Sequence, residues 1–241
     1  MSKVPEIKPA ADTALQDIRA NLEFIREQIA KAMDKAGRSD TVRIMAVTKT
    51  VEVDKINYAE SLGIDLLGEN RVQEFLGKYE NYSENSEIHF IGGLQNNKVK
   101  YIIDKVRMIH SVDSIKLAEE ISRRALSKNL VMDILLEVNI RNELSKGGFS
   151  DTELTEAAKV IEELQGVRIR GLMTIPPPFE GERYFPCMQE LYEELKAKEK
   201  GLSGMDTLSM GMSGDYATAV KYGSNIVRIG SGLFGYRSYI K

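Results

Sequence analysis

The chain has few of the residues that usually settle a protein's chemistry on sight. Its 241 residues include one cysteine, two histidines, six prolines and no tryptophan. The single cysteine, Cys187, excludes an internal disulfide, and two histidines provide no cluster at metal-ligand spacing, so no metal site is expected. No run reaches the ~18 consecutive apolar residues of a membrane span, and the opening MSKVPEIKPA lacks the apolar core of a secretion signal. A soluble cytoplasmic protein with no membrane partner is expected. Positive charge is not in excess: 33 Lys and Arg face 36 Asp and Glu, a net charge of -3. Without a basic reservoir to neutralise phosphates, nucleic acid is not an expected partner. Cys187 lies in RYFPCMQELYEEL with no histidine nearby in sequence, and it reads as a small packing residue rather than a nucleophile.

What the chain does have is periodicity. Leu15, Ile18, Leu22, Ile25, Ile29 and Met33 recur at helical spacing, which predicts an amphipathic helix over about residues 13–36. Thr13 with Gln16 suggests a capping box at its start, and Gly37 a stop. Eight short apolar runs follow: VRIMAVT, DLLGE, IHFIGG, RMIHSV, MDILLEVN, VRIRGLMTI, TLSMGM and NIVRIG. Each is followed by a helix candidate except the last. Regular alternation of this kind implies parallel strands joined by crossover helices. Eight units fit a closed barrel better than an open sheet. The expected fold is therefore α/β: a single (β/α)8 TIM-type barrel over about residues 42–236, with an extra N-terminal helix, in one domain spanning 1–241.

In such barrels chemistry gathers at the C-terminal ends of the strands, and Lys49 stands at that end of the first. By position alone it is more often a solvated charge than a catalytic group. The last third of the chain adds more. Glycine-bearing turns follow two successive strands, GMSGD and IGSGLFG, with hydroxyls at Ser213 and Ser231. Together they make a phosphate cradle where barrels commonly have one. Gly230, Gly232 and Gly235 spell G-x-G-x-x-G, but no further strand and acidic residue follow, so the dinucleotide reading fails. GMSGD also fails the nucleophile elbow, because Asp215 stands where the second glycine belongs. Arg228 is a charge inside the apolar run NIVRIG and needs a polar partner there. A lysine and an anion cradle at one mouth suggest a phosphorylated aldehyde held as a Schiff base.

AVTKT, GENRVQE, HFIGGLQNNK, NIRNELSKGGF, RGLMTIPP and LSMGMSGDYATAVKYGSNIVRIGSGLFG occur in order. In these motifs the chain resembles the YggS/PROSC family of pyridoxal 5'-phosphate (PLP) homeostasis proteins, over roughly residues 13–236. The resemblance implies a fold type III PLP-binding barrel, related to the N-terminal domain of alanine racemase. It implies PLP held covalently on Lys49, its phosphate held by Ser213, Gly230 and Ser231, and its pyridine nitrogen facing Arg228. Asn70 and His89 match positions near the ring, although His89 reads equally as a hydrogen-bonded barrel histidine. Met173 and Met210 either wall the ring or fill a barrel layer. Gly93 departs from the bulkier residue many members carry after HFIG.

The function so implied is to bind PLP in the cell and take part in its homeostasis, by buffering it or passing it to apo-PLP enzymes, as a monomer and without efficient catalysis. A permanent cation at Arg228 facing the ring nitrogen disfavours the pyridinium that makes PLP a strong electron sink, but racemases of the related fold also use arginine here, so this feature alone does not exclude racemisation. Alanine racemase also adds a β-domain with a second acid/base group, whereas this sequence ends six residues after Gly235. A PLP-dependent amino-acid racemase is the alternative. A PLP-independent barrel enzyme acting on a sugar phosphate through Lys49 is a third reading.

Overall fold

The computed structural model describes residues 10–141, 147–177, 180–198 and 200–235. Eight parallel strands close into one barrel in chain order: β1 (Arg43–Val47), β2 (Leu66–Glu69), β3 (Glu87–Phe90), β4 (Met108–Val112), β5 (Met132–Val138), β6 (Val167–Thr174), β7 (Thr207–Met212) and β8 (Ile226–Ile229). The closing pair sets Met45 of β1 opposite Arg228 of β8. Each strand is buried on both faces, which is why these segments read as nearly continuous apolar runs. Side chains still alternate. Met45 and Val47 pack inside the barrel with Leu66, Ile91 and Ile226, while Ala46 joins the layer between sheet and helices.

The helices are α1 (Ala10–Lys35), α2 (Val53–Ser61), α3 (Val72–Lys78), α4 (Ile115–Leu126), α5 (Asp151–Glu162), α6 (Gly181–Lys198), α7 (Tyr216–Lys221) and α8 (Ser231–Phe234). Ser150 and Glu153 form a reciprocal capping box at the start of α5, and Ser114 caps α4 by accepting from Leu117 N. β3 is followed by a 3-10 turn, Asn96–Tyr101, instead of an α-helix, and β8 by α8, where no helix was expected.

The extra N-terminal helix has a structural reason. α7 has six residues and α8 four, too short to cover the outer face of the strands beside them. α1 packs against α7 and α8, and its Ile18, Leu22, Ile25 and Ile29 are all buried, each contributing about 1.5–3 kcal/mol by removal from water. Asn21 Nδ2 donates to Leu233 O at 3.0 Å, and Arg38, just past the helix, donates from Nη1 to Ser224 O at 3.0 Å. The helix starts at Ala10, so Thr13 falls inside it rather than capping it. The strong helix former alanine at positions 10 and 11 carries the first turn past the expected cap.

Cys187 is corrected too. It is exposed in α6, because Tyr184, Phe185, Met188 and Tyr192 take the buried face of that helix. The expected domain limits at 1–9 and 236–241, residues 142–146 of NIRNELSKGGF and residues 178–179 of the proline loop lie outside the described residues. Among the described residues, no helix is long and apolar enough to cross a membrane.

Candidate functional site

A cavity of about 470 Å³ opens at the C-terminal ends of the strands. Lys49 and Val47 enter it from β1, Asn70 from the end of β2, Ile91 from β3, Ile175 from β6, Met212, Ser213 and Gly214 from β7, and Arg228, Gly230 and Ser231 from β8. Six residues singled out in the sequence are thus brought together: Lys49, Asn70, Ser213, Arg228, Gly230 and Ser231. His89 and Met210 are not among the lining residues.

Lys49 is half-buried and sits between Thr48, which is fully buried, and Thr50, which adopts φ +60°. A β-branched residue in the left-handed region is strained and persists only where neighbours over-determine it. Here they do. Thr50 N donates to Glu74 Oε1, and Lys78 Nζ donates both to that carboxylate, at 2.6 Å, and to Thr48 O, at 3.0 Å. One residue earlier, Thr48 Oγ1 donates to Glu69 Oε1 at 2.6 Å, and Tyr82 Oη donates to the same oxygen. Glu69 is fully buried, and its second oxygen has no partner among the described residues. Burial raises its pKa, against the hydrogen bonds from Thr48 and Tyr82 and the charge of Lys78. This network lies behind the sheet, on its helix side, and fixes the strand ends from which Lys49 and Asn70 enter the cavity.

The opposite wall is made of the two glycine turns. Ser213 Oγ accepts from Gly232 N at 3.0 Å, tying the turn after β7 to the turn after β8. With its lone pair so engaged, the Ser213 hydroxyl still has a proton to donate into the cavity. Asp215 Oδ1 accepts from Met212 N at 2.6 Å and holds the first turn closed. Hydroxyls at Ser213 and Ser231, with Gly214 and Gly230 permitting close backbone approach, suit an anion with several acceptor oxygens.

Arg228 forms the floor. It is 4% exposed; Nη1 donates to Ser209 O and Oγ, both at 2.8 Å, and Nη2 to Thr174 O at 2.8 Å. A guanidinium has more N–H groups than these bonds use, so donors remain for a ligand above it. Burial pulls its pKa down to about 10, against the pull of Glu137 and Asp215, and it stays a cation at neutral pH.

His89 is a hydrogen-bonded barrel histidine. It lies in the interior below the cavity, 1% exposed, between Glu87 and His110. Met210 does not wall the cavity; it packs in the helix-facing core with Ala219 and Val220. Ser209 faces the interior, so alternation already turns Met210 outward. Past it, Gly211 takes φ +90° and the β7–β8 register shifts between Ser209 and Met212, and this bulge turns Met212 into the cavity. Met173 fills a layer inside the barrel with Met108 and Leu135. The loop after β3 is set by Gly92, where a Cβ would collide with the backbone of Asn70; around Gly93 the space is open, so a bulkier residue there would be accommodated.

Sequence reading missed Glu137. Its pKa is pushed up to about 7 by burial and by the charge of Asp113, with Arg228 opposing. It lines a second cavity, of about 210 Å³, which shares Ile175 with the first. The signal was available: MDILLEVN carries a charge inside an apolar strand, as NIVRIG does.

Comparison with known proteins agrees with the barrel fold. Residues 18–238 match the family described as alanine racemase, N-terminal domain. The chain is 44% identical over 224 residues to the pyridoxal phosphate homeostasis protein of Aquifex aeolicus, covering 90% of this chain and 97% of that one. It is 35% identical over 233 residues to the protein of the same name from Escherichia coli K12, covering 94% and 100%. Among solved structures, PipY of Synechococcus elongatus with PLP bound superposes with a TM-score of 0.79 at 31% identity, covering 90% of this chain and 100% of that one. Alanine racemase of Corynebacterium glutamicum shares the fold, with a TM-score of 0.72 at 13% identity over 94% of this chain and 62% of its own. The chain belongs to the alanine racemase N-terminal domain family and, within it, to the pyridoxal phosphate homeostasis proteins.

Proposed function

We propose that this protein binds PLP in the cavity at the barrel mouth and serves PLP homeostasis by holding and releasing the cofactor. The observation that carries the reading is the convergence in one cavity of an amine, a buried cation and two serine-glycine turns. That donor set fits the group: the serine hydroxyls suit its phosphate, and the remaining N–H groups of Arg228 suit an unprotonated ring nitrogen.

PLP supplies an aldehyde. Lys49 would hold that aldehyde through its amine. Ser213 and Ser231 donate to the phosphate, with Gly230 allowing close backbone approach. Asn70, whose backbone packs closely against Gly92, would stand in the cavity wall beside the ring. Arg228, a cation at neutral pH, keeps a proton off the ring nitrogen by charge repulsion. Carbanion chemistry would thereby be weakened, a feature that racemases of the related fold share. We place the protein in the cytoplasm, as a single-domain monomer.

The test is reduction with borohydride after incubation with PLP, followed by peptide mapping. One pyridoxyl adduct at Lys49 is expected, with none at that peptide in Lys49→Ala. A dominant adduct elsewhere, or no adduct, would overturn the proposal. Solvent deuterium exchange at the α-carbon of added amino acids separates storage from racemisation: a Lys49-dependent rate well above that of free PLP would make the protein an enzyme.

A further inference from the structure

Beneath the cavity, five polar side chains run in series through the barrel interior. Arg228 Nη1 donates to Ser209 Oγ at 2.8 Å; Ser209 Oγ lies 3.1 Å from His110 Nδ1; His110 Nε2 lies 2.8 Å from His89 Nδ1; and His89 Nε2 lies 2.7 Å from Glu87 Oε1. His89, His110 and Ser209 are at most 1% exposed. Glu87, at the start of β3, opens to solvent and pairs with Arg43 Nη1 at 3.1 Å. The series spans the barrel from its N-terminal end to the floor of the cavity.

Its two ends fix the direction of every hydrogen bond. Arginine can only donate, and an ionised carboxylate can only accept. Starting from Glu87, the proton between it and His89 sits on Nε2. A neutral His89 then accepts at Nδ1, so His110 carries its proton on Nε2 and accepts at Nδ1. The Ser209 hydroxyl donates to that nitrogen, which leaves its lone pairs facing Arg228. Both imidazoles are neutral for a physical reason: burial disfavours their charged forms, against the pull of Glu87 on His89, and the charge of Arg228 further disfavours a charged His110. The charges facing the pair are Glu87 on β3, Arg43 on β1, Asp133 on β5 and Arg228 on β8.

We propose that Ser209, His110, His89 and Glu87 are positioning residues of the cavity, a hydrogen-bond relay of single polarity that aims the Ser209 lone pairs at Arg228. The proposal rests on the reading that Arg228 faces PLP. Reversing the relay turns His110 Nδ1–H toward Ser209, and the Ser209 proton then has no acceptor and competes with the Arg228 N–H. The guanidinium loses part of its hold, and with it the alignment toward the ring. Nothing reacts along the relay. Its work is to keep the floor of the cavity in one orientation.

Glu87→Gln is the test, because a carboxamide of the same size can present either an acceptor or a donor to His89 and so unlocks the polarity. Glu87 is at the open end of the relay, so the variant keeps the buried packing. Ser209→Ala is the harsher break. Full-length protein with 15N-labelled histidine side chains, free of PLP, reports the tautomers directly. In the wild type both histidines are expected as neutral Nε2–H forms near pH 7. In Glu87→Gln a mixture with the Nδ1–H form is expected, together with roughly threefold to tenfold weaker PLP affinity by absorbance titration. Ser209→Ala is expected to weaken PLP binding by roughly tenfold or more. An Nδ1–H tautomer in the wild type, or Glu87→Gln with wild-type tautomers and affinity, would overturn the relay. Failure of the wild type itself to take up PLP would instead overturn the cofactor reading.

Discussion

The cavity stands on two polar supports that differ in place and in state. The support behind Lys49 lies outside the sheet, where Thr48 and Tyr82 converge on one oxygen of the buried Glu69 and leave the other without a partner. The support under Arg228 lies inside the barrel, where each polar group of the series meets a partner and the last carboxylate reaches solvent. Burial pushes Glu69 up. The hydrogen bond from His89, aided by Arg43, pulls Glu87 down to about 2 against its burial. The outer support therefore holds a strained strand end, with Thr50 in the left-handed region, at a standing energetic cost. The inner support is satisfied and acts by orienting donors. A strained element presents the amine; a relaxed one presents the cation.

The sharpest way to separate the two is at their tips. Lys49→Ala is expected to abolish covalent loading while Arg228 and the serine-glycine turns still hold PLP reversibly. Arg228→Gln is expected to do the reverse: the adduct forms at saturating PLP, but affinity falls by roughly tenfold to a hundredfold, as loss of charge-assisted hydrogen bonds implies. Absorbance titration with borohydride trapping measures both. Equal loss of adduct in the two variants would show that they act as one unit.

The outer support is expected to yield next. Tyr82→Phe removes one of the two donors at Glu69 and leaves a fully buried carboxylate worse satisfied, at a cost of about 1–3 kcal/mol in stability. Urea denaturation checks this. Covalent loading at saturating PLP should persist, because Thr48 still anchors the strand end. An unchanged unfolding midpoint would mean that Glu69 relaxes toward water when its donor is lost.

These supports also mark where sequence reading stops. The barrel was legible because parallel strands buried on both faces leave apolar runs at regular intervals. The cavity was legible where chemistry leaves an odd residue in a pattern, as with Lys49 between the threonines of AVTKT or Arg228 inside NIVRIG. Met212 could not be separated from Met210, since alternation puts both on one face and only the bulge at Gly211 turns Met212 inward. The relay was illegible for another reason. Glu87, His89, His110 and Ser209 come from three strands, and only barrel closure makes them a series. His89 was noticed, and of its two readings the hydrogen-bonded barrel histidine is the one the fold shows. Glu137 announced itself as Arg228 did and was passed over.

The smallest expected effect is the one that tests the opposed titration of the two supports. Glu87 has a folded-state pKa of about 2 against 4.5 for a free glutamate. Its ionised form favours the fold above about pH 4.5, and that contribution drains away as the pH falls toward about 2. Its side chain is 36% exposed, so solvent screening keeps the contribution small. Glu69 lies above 4.5 in the fold, so its contribution is fully present below that pH and is lost as the pH rises past it. Glu60 and Glu137 are also raised, but they are common to every variant and cancel in the differences. Relative to wild type, Glu87→Gln should therefore lose stability at about pH 7 and recover as the pH drops toward about 3. Glu69→Gln, which keeps an acceptor for Thr48 and Tyr82, should match wild type near pH 4 and gain on it toward about pH 7. Thermal unfolding across this range reads both slopes. Slopes of the same sign would mean that the two carboxylates share one environment, and the contrast between a strained outer support and a satisfied inner one would fall.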